Sequence, residues 1–129
     1  MLDANMASFI IRGANPALRE RLNAIPVNAL CLSAVTEGEL LYGLALKPGA
    51  ARLKKAVMDF LHHPEILAWD SDAAARYGTL RADLEKAGTP LGNLDTMIAA
   101  HALAADVALV TNDRAFGRVQ GLGVEDWTV

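Results

Sequence analysis

Short runs of hydrophobic residues alternate along this chain with longer segments whose apolar residues recur every three or four positions. The short runs are rich in strand-forming residues, and the longer segments have the periodicity of amphipathic helices. Such alternation is typical of a parallel β-sheet covered by helices. The pattern therefore predicts an α/β protein with a short central parallel β-sheet flanked by α-helices in three layers, α/β/α.

Apolar runs, capping residues, glycine and proline locate the individual strands and helices along the sequence. Predicted strands cover residues 1–3, 30–35, 65–70, 107–111 and 124–127. Predicted helices cover residues 36–44, 49–62 and 94–105, and another runs from residue 71 to before 88. Nearer the N-terminus, one helix includes residues 9–11 and a second begins at residue 16. A short helix or turn is predicted over residues 113–119. Asn15, Ser71 and Asn93 have side chains suited to capping helix starts, and Gly88 with Pro90 ends a helix.

Composition narrows the class of protein. With 129 residues, 53% of them hydrophobic and 21% charged, the chain is expected to form one globular domain over residues 1–129. No stretch reaches the roughly 18 consecutive apolar residues of a membrane span. The first apolar run follows Asp3 rather than a basic segment, so it does not predict a signal peptide, and we expect a cytoplasmic protein without a membrane. Cys31 is the only cysteine, which excludes an internal disulfide and a cysteine-based zinc cluster.

Several acids lie where predicted strands end or where the next helices begin. Asp3 follows the first strand, Asp113 closes the stretch ALVTND, and Asp95 lies in the first turn of a helix. Glu37 and Glu39 both follow the second strand, and they point about 200° apart on a helix, so only one can face the sheet edge. Because the carboxyl ends of parallel strands meet at one edge, four acids are expected to converge there.

Each of these acids also has a purely structural interpretation. Thr36 and Glu39 fit a capping box, and acids in first helical turns are favoured by the helix dipole. Together, however, four carboxylates at one edge repel one another unless cations neutralise them. Oxygen ligands favour Mg²⁺ or Mn²⁺, and two such ions about 3.5–4 Å apart can clamp the attacking and leaving oxygens of a phosphodiester. The pattern therefore predicts phosphodiester hydrolysis.

The charge balance is compatible with a nucleic-acid substrate once these acids are set apart. The formal net charge is −3, so the chain without the four acids would carry +1. Most of the basic residues are interpreted as solvated helix faces, and Arg114 and Arg118, just after Asp113, are the best candidates for RNA contacts. The basic residues considered are Arg12, Arg19, Arg21, Lys47, Arg52, Lys54, Lys55, Arg114 and Arg118.

The histidines give little support for a catalytic role. His62 and His63 end a predicted helix, where the dipole favours them. His101 lies six residues after Asp95, off its face, and is interpreted as a core or surface histidine. The sequence shows no Ser, His or Cys constellation, which disfavours nucleophilic catalysis.

Four stretches of the chain together resemble the acidic motifs of PIN-domain ribonucleases, specifically the VapC toxins of bacterial VapBC toxin–antitoxin pairs. The stretches are MLDAN, SAVTEGELLYG, RADLEKAGTPLGNLDTMIAAHAL, and LVTNDRAF followed by RVQGLGVEDW. The likeness covers essentially the whole chain and implies a single PIN domain. MLDAN departs from the usual family pattern in having Ala4 instead of threonine.

The resemblance implies roles for particular residues. The metal-binding and catalytic acids would be Asp3, Glu39, Asp95 and Asp113. In the family the glutamate directly precedes an LLYG-like segment, which favours Glu39 over Glu37. Asn5 and Thr111 would orient the carboxylates and the attacking water.

The resemblance also implies a function. Similar proteins hydrolyse RNA to leave a 3′ hydroxyl and a 5′ phosphate, and many of them cut transfer RNA in the anticodon region. The motif sequences of this chain resemble those of the branch that attacks initiator transfer RNA. The implied mechanism is an in-line attack by water activated by Mg²⁺ or Mn²⁺, without a covalent intermediate. A VapB-like antitoxin would cover the acidic pocket and the apolar groove of the N-terminal helices, preventing inhibition of translation, and a homodimer is expected.

Two other classes of protein share some of these sequence features. A receiver-type phosphotransfer domain needs adjacent acids after the first strand and a lysine after the last one, and neither is present. The stronger alternative is a PIN fold that binds RNA or protein without catalysis. Divalent-dependent RNA cleavage that is lost on changing Asp95 would separate that module from an enzyme.

Overall fold

The computed structural model of the protein describes residues 1–13 and 15–129. The helices are α1 (Ala4–Arg12), α2 (Pro16–Asn23), α3 (Ala34–Ala45), α4 (Ala51–Leu61), α5 (Ser71–Lys86) and α6 (Asn93–Ala105). The strands are β1 (Cys31–Ser33), β2 (Glu65–Leu67), β3 (Leu109–Val110) and β4 (Val124–Glu125), and short 3₁₀ turns cover Val27–Ala29 and Arg114–Arg118. The predicted alternation of strands and helices is confirmed.

The N-terminal residues lie in the middle of the sheet. β1 pairs with β2 and β3 pairs with β4, both in parallel. Leu2 joins the two pairs through parallel bridges to Leu32 and Val110, and the Asp3 amide donates to the Val110 carbonyl at 3.1 Å. The order across the sheet is therefore β2, β1, Leu2, β3, β4, which places Asp3 at the carboxyl edge of its centre.

Hydrophobic packing covers both faces of this sheet. One cluster joins Leu2 and Leu32 to Met6 of α1 and Leu18 of α2. The other packs Ile98 and the alanines of α6 against Leu109, Phe116 and Leu84 of α5. Ala99, Ala100 and Ala102 are completely buried, and their small side chains suit the extensive packing of α6 against α5. This gives the expected three-layer arrangement.

The prediction that β1 extends to residue 35 is wrong. β1 ends at Ser33, whose hydroxyl accepts a hydrogen bond from the Val35 amide at 3.1 Å and caps α3. The alternative interpretation of Thr36 and Glu39 as a capping box is also wrong, because Thr36 lies inside the helix. Ala34 and Val35 are apolar and fit either element, whereas serine is a preferred cap, and this preference decides the boundary.

The caps of two further helices lie one residue before the predicted ones. Asp70 rather than Ser71 caps α5, since its carboxylate accepts from the Ala73 amide at 3.2 Å. Gly92 precedes α6, and Asn93 is its first residue rather than its cap. Asn15 caps α2 as predicted, accepting from the Leu18 amide at 3.0 Å.

None of the helices in residues 1–13 and 15–129 is both long and apolar enough to cross a membrane.

Candidate functional site

The four predicted acids line one cavity at the carboxyl edge of the sheet. Its volume is about 150 Å³. Four separate parts of the fold contribute: the central sheet position, α3, α6 and the start of the second 3₁₀ turn. The lining residues are Asp3, Ala4, Asn5, Glu39, Asp95, Ile98, Asp113 and Phe116. Glu37 is not among the described residues that line this cavity, so α3 directs Glu39 towards it.

Asp3 and Asp113 are held rigidly, and Thr111 connects them. Asp3 is 5% exposed, and its Oδ1 accepts from the Met6 amide at 2.9 Å, which caps α1. The Thr111 hydroxyl donates to Oδ2 of Asp3 at 2.5 Å and accepts from the Asp113 amide at 3.0 Å. Asp113 in turn caps the following 3₁₀ turn by accepting from the Ala115 amide at 2.9 Å. The hydrogen bonds therefore fix both carboxylates relative to the sheet.

Glu39 and Asp95 are held differently. Both side chains are half-buried, on the second turn of α3 and the first turn of α6. Only burial and neighbouring carboxylates shift their pKa values, with no contribution from a hydrogen bond. Their oxygens are therefore available to an incoming ligand, and their positions depend on how α3 and α6 pack.

Three of the four carboxylates in this cluster have raised pKa values. Burial raises the pKa of Asp3, and repulsion from Asp113 raises it further, against the hydrogen bonds of Thr111 and Met6. Burial also raises the pKa of Glu39, with repulsion from Asp95 and Asp3 as the next causes. The pKa of Asp95 is raised by burial and then by Asp113 and Asp3. The repulsion among these groups shows that they act on one another across the cavity.

No cation balances these charges within the described part of the chain. The ion pairs found there join Lys55 to Asp59 and Arg81 to Glu85, on the exposed surfaces of α4 and α5. Clustered carboxylates that lack a basic partner are the donor set that a hard divalent cation prefers. The residues present therefore fit Mg²⁺ or Mn²⁺.

The arrangement also constrains how an ion would be held. In residues 1–13 and 15–129 no three His, Cys, Asp or Glu side chains form a group that could hold a metal ion as they stand. Mg²⁺ usually keeps several of its waters and binds one or two carboxylates directly. Such a site needs fewer direct protein ligands than a closed metal cage, so partly hydrated ions fit this cluster best.

The other predicted site residues differ in position. Thr111 is buried and bonded to Asp3, whereas Asn5 lines the cavity with an exposed side chain. Arg114 is exposed next to Asp113. Arg118 donates to the Pro90 carbonyl at 3.1 Å, so its guanidinium holds the segment before α6. RNA binding by the two arginines stays a prediction.

The sequence interpretation overlooked two apolar residues and one buried hydrogen bond. Ile98 and Phe116 form the apolar part of the wall, and Ile98 follows Asp95 by one helical turn, a spacing that could have identified it. His101 is a core residue, as one of its two interpretations proposed, but it bonds to Ser33, which is 68 positions away. No local sequence signal reports a contact over that separation.

A larger, mainly apolar cavity of about 340 Å³ lies beside the acidic one. It is lined by α1, α3 and α4, and we call it the α3 groove. Arg12 and Lys47 contribute positive charge to its wall, and Glu39 lines both the groove and the acidic cavity. The groove residues are Ser8, Ile11, Arg12, Glu39, Leu40, Gly43, Leu44, Leu46, Lys47, Leu53 and Val57.

Comparison with known proteins identifies relatives of this arrangement. Residues 1–122 match the PIN domain family. The chain is 38% identical over 128 residues to a protein of Salmonella typhimurium named tRNA(fMet)-specific endonuclease VapC, and the match covers 98% of this chain and 96% of the relative.

Solved structures agree with this relationship. The DNA-bound VapBC structure from Salmonella typhimurium is similar with a TM-score of 0.90 and 38% identity, covering 98% of this chain and 96% of that one. VapBC2 from Rickettsia felis, bound to a DNA fragment from its promoter, gives a TM-score of 0.89 and 29% identity, covering 97% and 96% of the two chains.

Proposed function

Because the chain belongs to the PIN-domain family, among its VapC-like members, we propose that it is a metal-dependent endoribonuclease that hydrolyses RNA phosphodiesters. The observation that carries this proposal is the carboxylate cluster, in which three acids have raised pKa values and for which the described residues supply no cation. Such a cluster is costly for a folded protein unless a bound cation offsets the repulsion. A ligand-binding role explains why it is built at the sheet edge.

The residues of the acidic cavity would have different roles in this reaction. Asp3, Asp95 and Asp113, together with Glu39, would hold Mg²⁺ or Mn²⁺ through carboxylate oxygens. Bound there, such ions would supply Lewis-acid activation of water and stabilisation of a leaving oxygen. Thr111 keeps Asp3 and Asp113 in register through its two hydrogen bonds. Ile98 and Phe116 form the apolar side of the cavity.

The substrate that we propose is transfer RNA, with the initiator anticodon region as the first choice. The support is the name of the Salmonella relative, a tRNA(fMet)-specific endonuclease, at 38% identity over almost the whole chain. Arg114 would contact a phosphate next to the cleaved one, and its exposure directly after Asp113 supports this role. Cleavage of this RNA in the cytoplasm would inhibit translation.

A VapB-type antitoxin is the proposed regulator. VapBC structures from Salmonella and Rickettsia are among the solved neighbours of this fold. Because Glu39 lines both cavities, a segment seated in the α3 groove would end beside the metal-binding acids. We also propose a homodimer, since Leu41 and Tyr42 on α3 and Leu46 directly after it leave apolar surface exposed.

A cleavage assay with defined RNA ends tests the enzyme proposal. The purified protein is incubated with initiator transfer RNA and with an elongator transfer RNA, each with Mg²⁺ or with EDTA. We expect cleavage of the initiator RNA only with Mg²⁺, leaving a 5′ phosphate and a 3′ hydroxyl. Undiminished cleavage in EDTA would contradict a metal-dependent mechanism. RNA binding without cleavage under either condition would favour the alternative, a PIN-fold binding module.

A further inference from the structure

A buried hydrogen bond joins the two helices that carry Glu39 and Asp95. His101 of α6 is 4% exposed, and its Nδ1 lies 2.8 Å from the hydroxyl of Ser33, which is fully buried. Ser33 ends β1 and caps α3, the helix of Glu39. His101 lies on the same helix as Asp95. The bond therefore ties the start of α3 to the middle of α6.

The partners of Ser33 and of the ring favour one direction for this bond. The Ser33 hydroxyl oxygen accepts from the Val35 amide at 3.1 Å, and its single proton can be donated to Nδ1 of His101. Nδ1 is then the acceptor, and the neutral ring carries its proton on Nε2. The backbone of Ala68 raises the pKa of His101 through a hydrogen bond, as a carbonyl that accepts from a ring N–H does. Because Nδ1 faces Ser33, this contact is assigned to Nε2.

The residues around the ring favour its neutral form. Burial lowers the pKa of His101 and outweighs Asp70 and the Ala68 backbone, which raise it. A second bond reinforces the same region, because the Trp69 indole donates to the Met97 carbonyl of α6 at 3.0 Å. Ala68 and Trp69, which follow β2, thus contact α6 at His101 and Met97, six and two residues after Asp95.

This connection bears directly on the acidic cavity. Glu39 and Asp95 receive no hydrogen bond that shifts their pKa, unlike Asp3, so their separation depends on the packing of α3 against α6. The His101–Ser33 bond is a direct polar contact between these two helices' segments. We propose that His101 is a positioning residue, a neutral Nε2-protonated imidazole that sets the distance between the Glu39 and Asp95 carboxylates through Ser33. The inference rests on the proposed function, since it assigns those carboxylates a shared ligand.

Mn²⁺ binding to the purified full chain tests this role without reference to RNA cleavage. Isothermal titration with Mn²⁺ alone is compared for wild type and two pairs of variants. His101→Leu and Ser33→Ala remove the bond, whereas His101→Asn and Ser33→Thr each keep a suitable acceptor or hydroxyl. We expect the first two to bind Mn²⁺ about tenfold more weakly, as for other groups that orient metal ligands. The second two should bind like wild type.

A stability control separates positioning from general loss of packing. Leu84→Ala removes buried side-chain atoms of α5 without touching the His101–Ser33 bond. We expect a lower melting temperature with unchanged Mn²⁺ affinity. In wild type, ¹⁵N shifts of the imidazole at neutral pH should show protonated Nε2 and unprotonated Nδ1.

The possible outcomes separate the positioning role of His101 from the proposed metal binding by the carboxylates. Wild-type affinity in His101→Leu and Ser33→Ala, an equal loss in Leu84→Ala, or a proton on Nδ1 would overturn the positioning role alone. If His101→Leu does not fold, the Ser33 pair and the tautomer still decide. Wild type that shows no Mn²⁺ binding sensitive to Asp95→Asn would overturn the metal proposal and this inference with it.

Discussion

Thr111 makes two hydrogen bonds that relate two of the four carboxylates to each other. Its hydroxyl donates to Asp3 and accepts from the Asp113 amide, and the residue is almost fully buried. Thr111→Val keeps the shape but removes both bonds, leaving the buried Asp3 carboxylate without its side-chain donor. We expect cleavage to slow about 10-fold to 100-fold, and urea unfolding to show a loss of about 1–3 kcal/mol. Thr111→Ser retains the hydroxyl and should stay close to wild type in both measurements.

Asp95 has opposite effects on activity and on the stability of the metal-free protein. Its pKa is raised in the fold by burial and by the neighbouring acids. Such a carboxyl stabilises the fold fully only below its unfolded pKa of about 3.9, and that contribution is lost as the pH rises through the folded value. At pH 7 in EDTA we therefore expect Asp95→Asn to melt at a higher temperature than wild type.

The same variant should cleave RNA about 1,000-fold more slowly, because several kcal/mol of transition-state stabilisation depend on the ligand set. Differential scanning calorimetry and a cleavage time course measure the two effects. Asp83→Asn changes an exposed acid of α5 and should alter neither. Full activity of Asp95→Asn would contradict its role.

At the scale of the elements, the cap of α1 is also a site residue. Asp3 accepts from the Met6 amide through one oxygen while its other oxygen bonds to Thr111. Serine at this position can cap a helix and cannot replace a carboxylate ligand, whereas alanine does neither. Both Asp3→Ser and Asp3→Ala should lose cleavage, but Asp3→Ala should be less stable than Asp3→Ser by about 1 kcal/mol. Equal stability of the two variants in urea would show that the cap contributes nothing.

The sequence predicted the elements better than their ends. All six helices of the described residues were located. Helices α3 to α6 have about three turns or more, long enough for an apolar period to show, whereas the shorter α1 and α2 were indicated by an apolar run and by a capping residue followed by proline. Strands of two or three residues have no period to detect, and the predicted strands were consequently too long. Capping side chains were placed one residue too late at α5 and α6, because Ser71 and Asn93 look like caps while Asp70 and Gly92 occupy those positions.

The sequence likewise predicted some residues of the site and not others. The rule that ligands bind at the carboxyl edge of parallel strands located Asp3, Asp95 and Asp113 from the residues alone. Choosing Glu39 over Glu37 depended on the resemblance, because one helix presents both and the start of α3 was misplaced. The contact of His101 with Ser33 is created by packing of distant segments, which a single sequence does not encode locally.

At the scale of the whole molecule, the α3 groove and the acidic cavity are joined by Glu39. Leu44→Glu puts a charge into the groove wall, so a VapB-type antitoxin should bind at least about 30-fold more weakly, the loss of a contact worth about 2 kcal/mol. RNA cleavage by the free protein should not change. Ala45→Glu adds the same charge at the next residue, which is exposed and outside the groove, and should bind the antitoxin normally. Equal weakening in both variants would place the partner elsewhere.

The central claim is that the four carboxylates jointly hold divalent cations. Anomalous diffraction from crystals soaked in Mn²⁺ tests it most directly, because the signal locates the ions independently of any activity. We predict Mn²⁺ density within the cavity formed by Asp3, Glu39, Asp95 and Asp113, and its loss in crystals of Asp95→Asn. A fully active protein whose crystals show no Mn²⁺ in this cavity, or show it only at other positions, would contradict the claim.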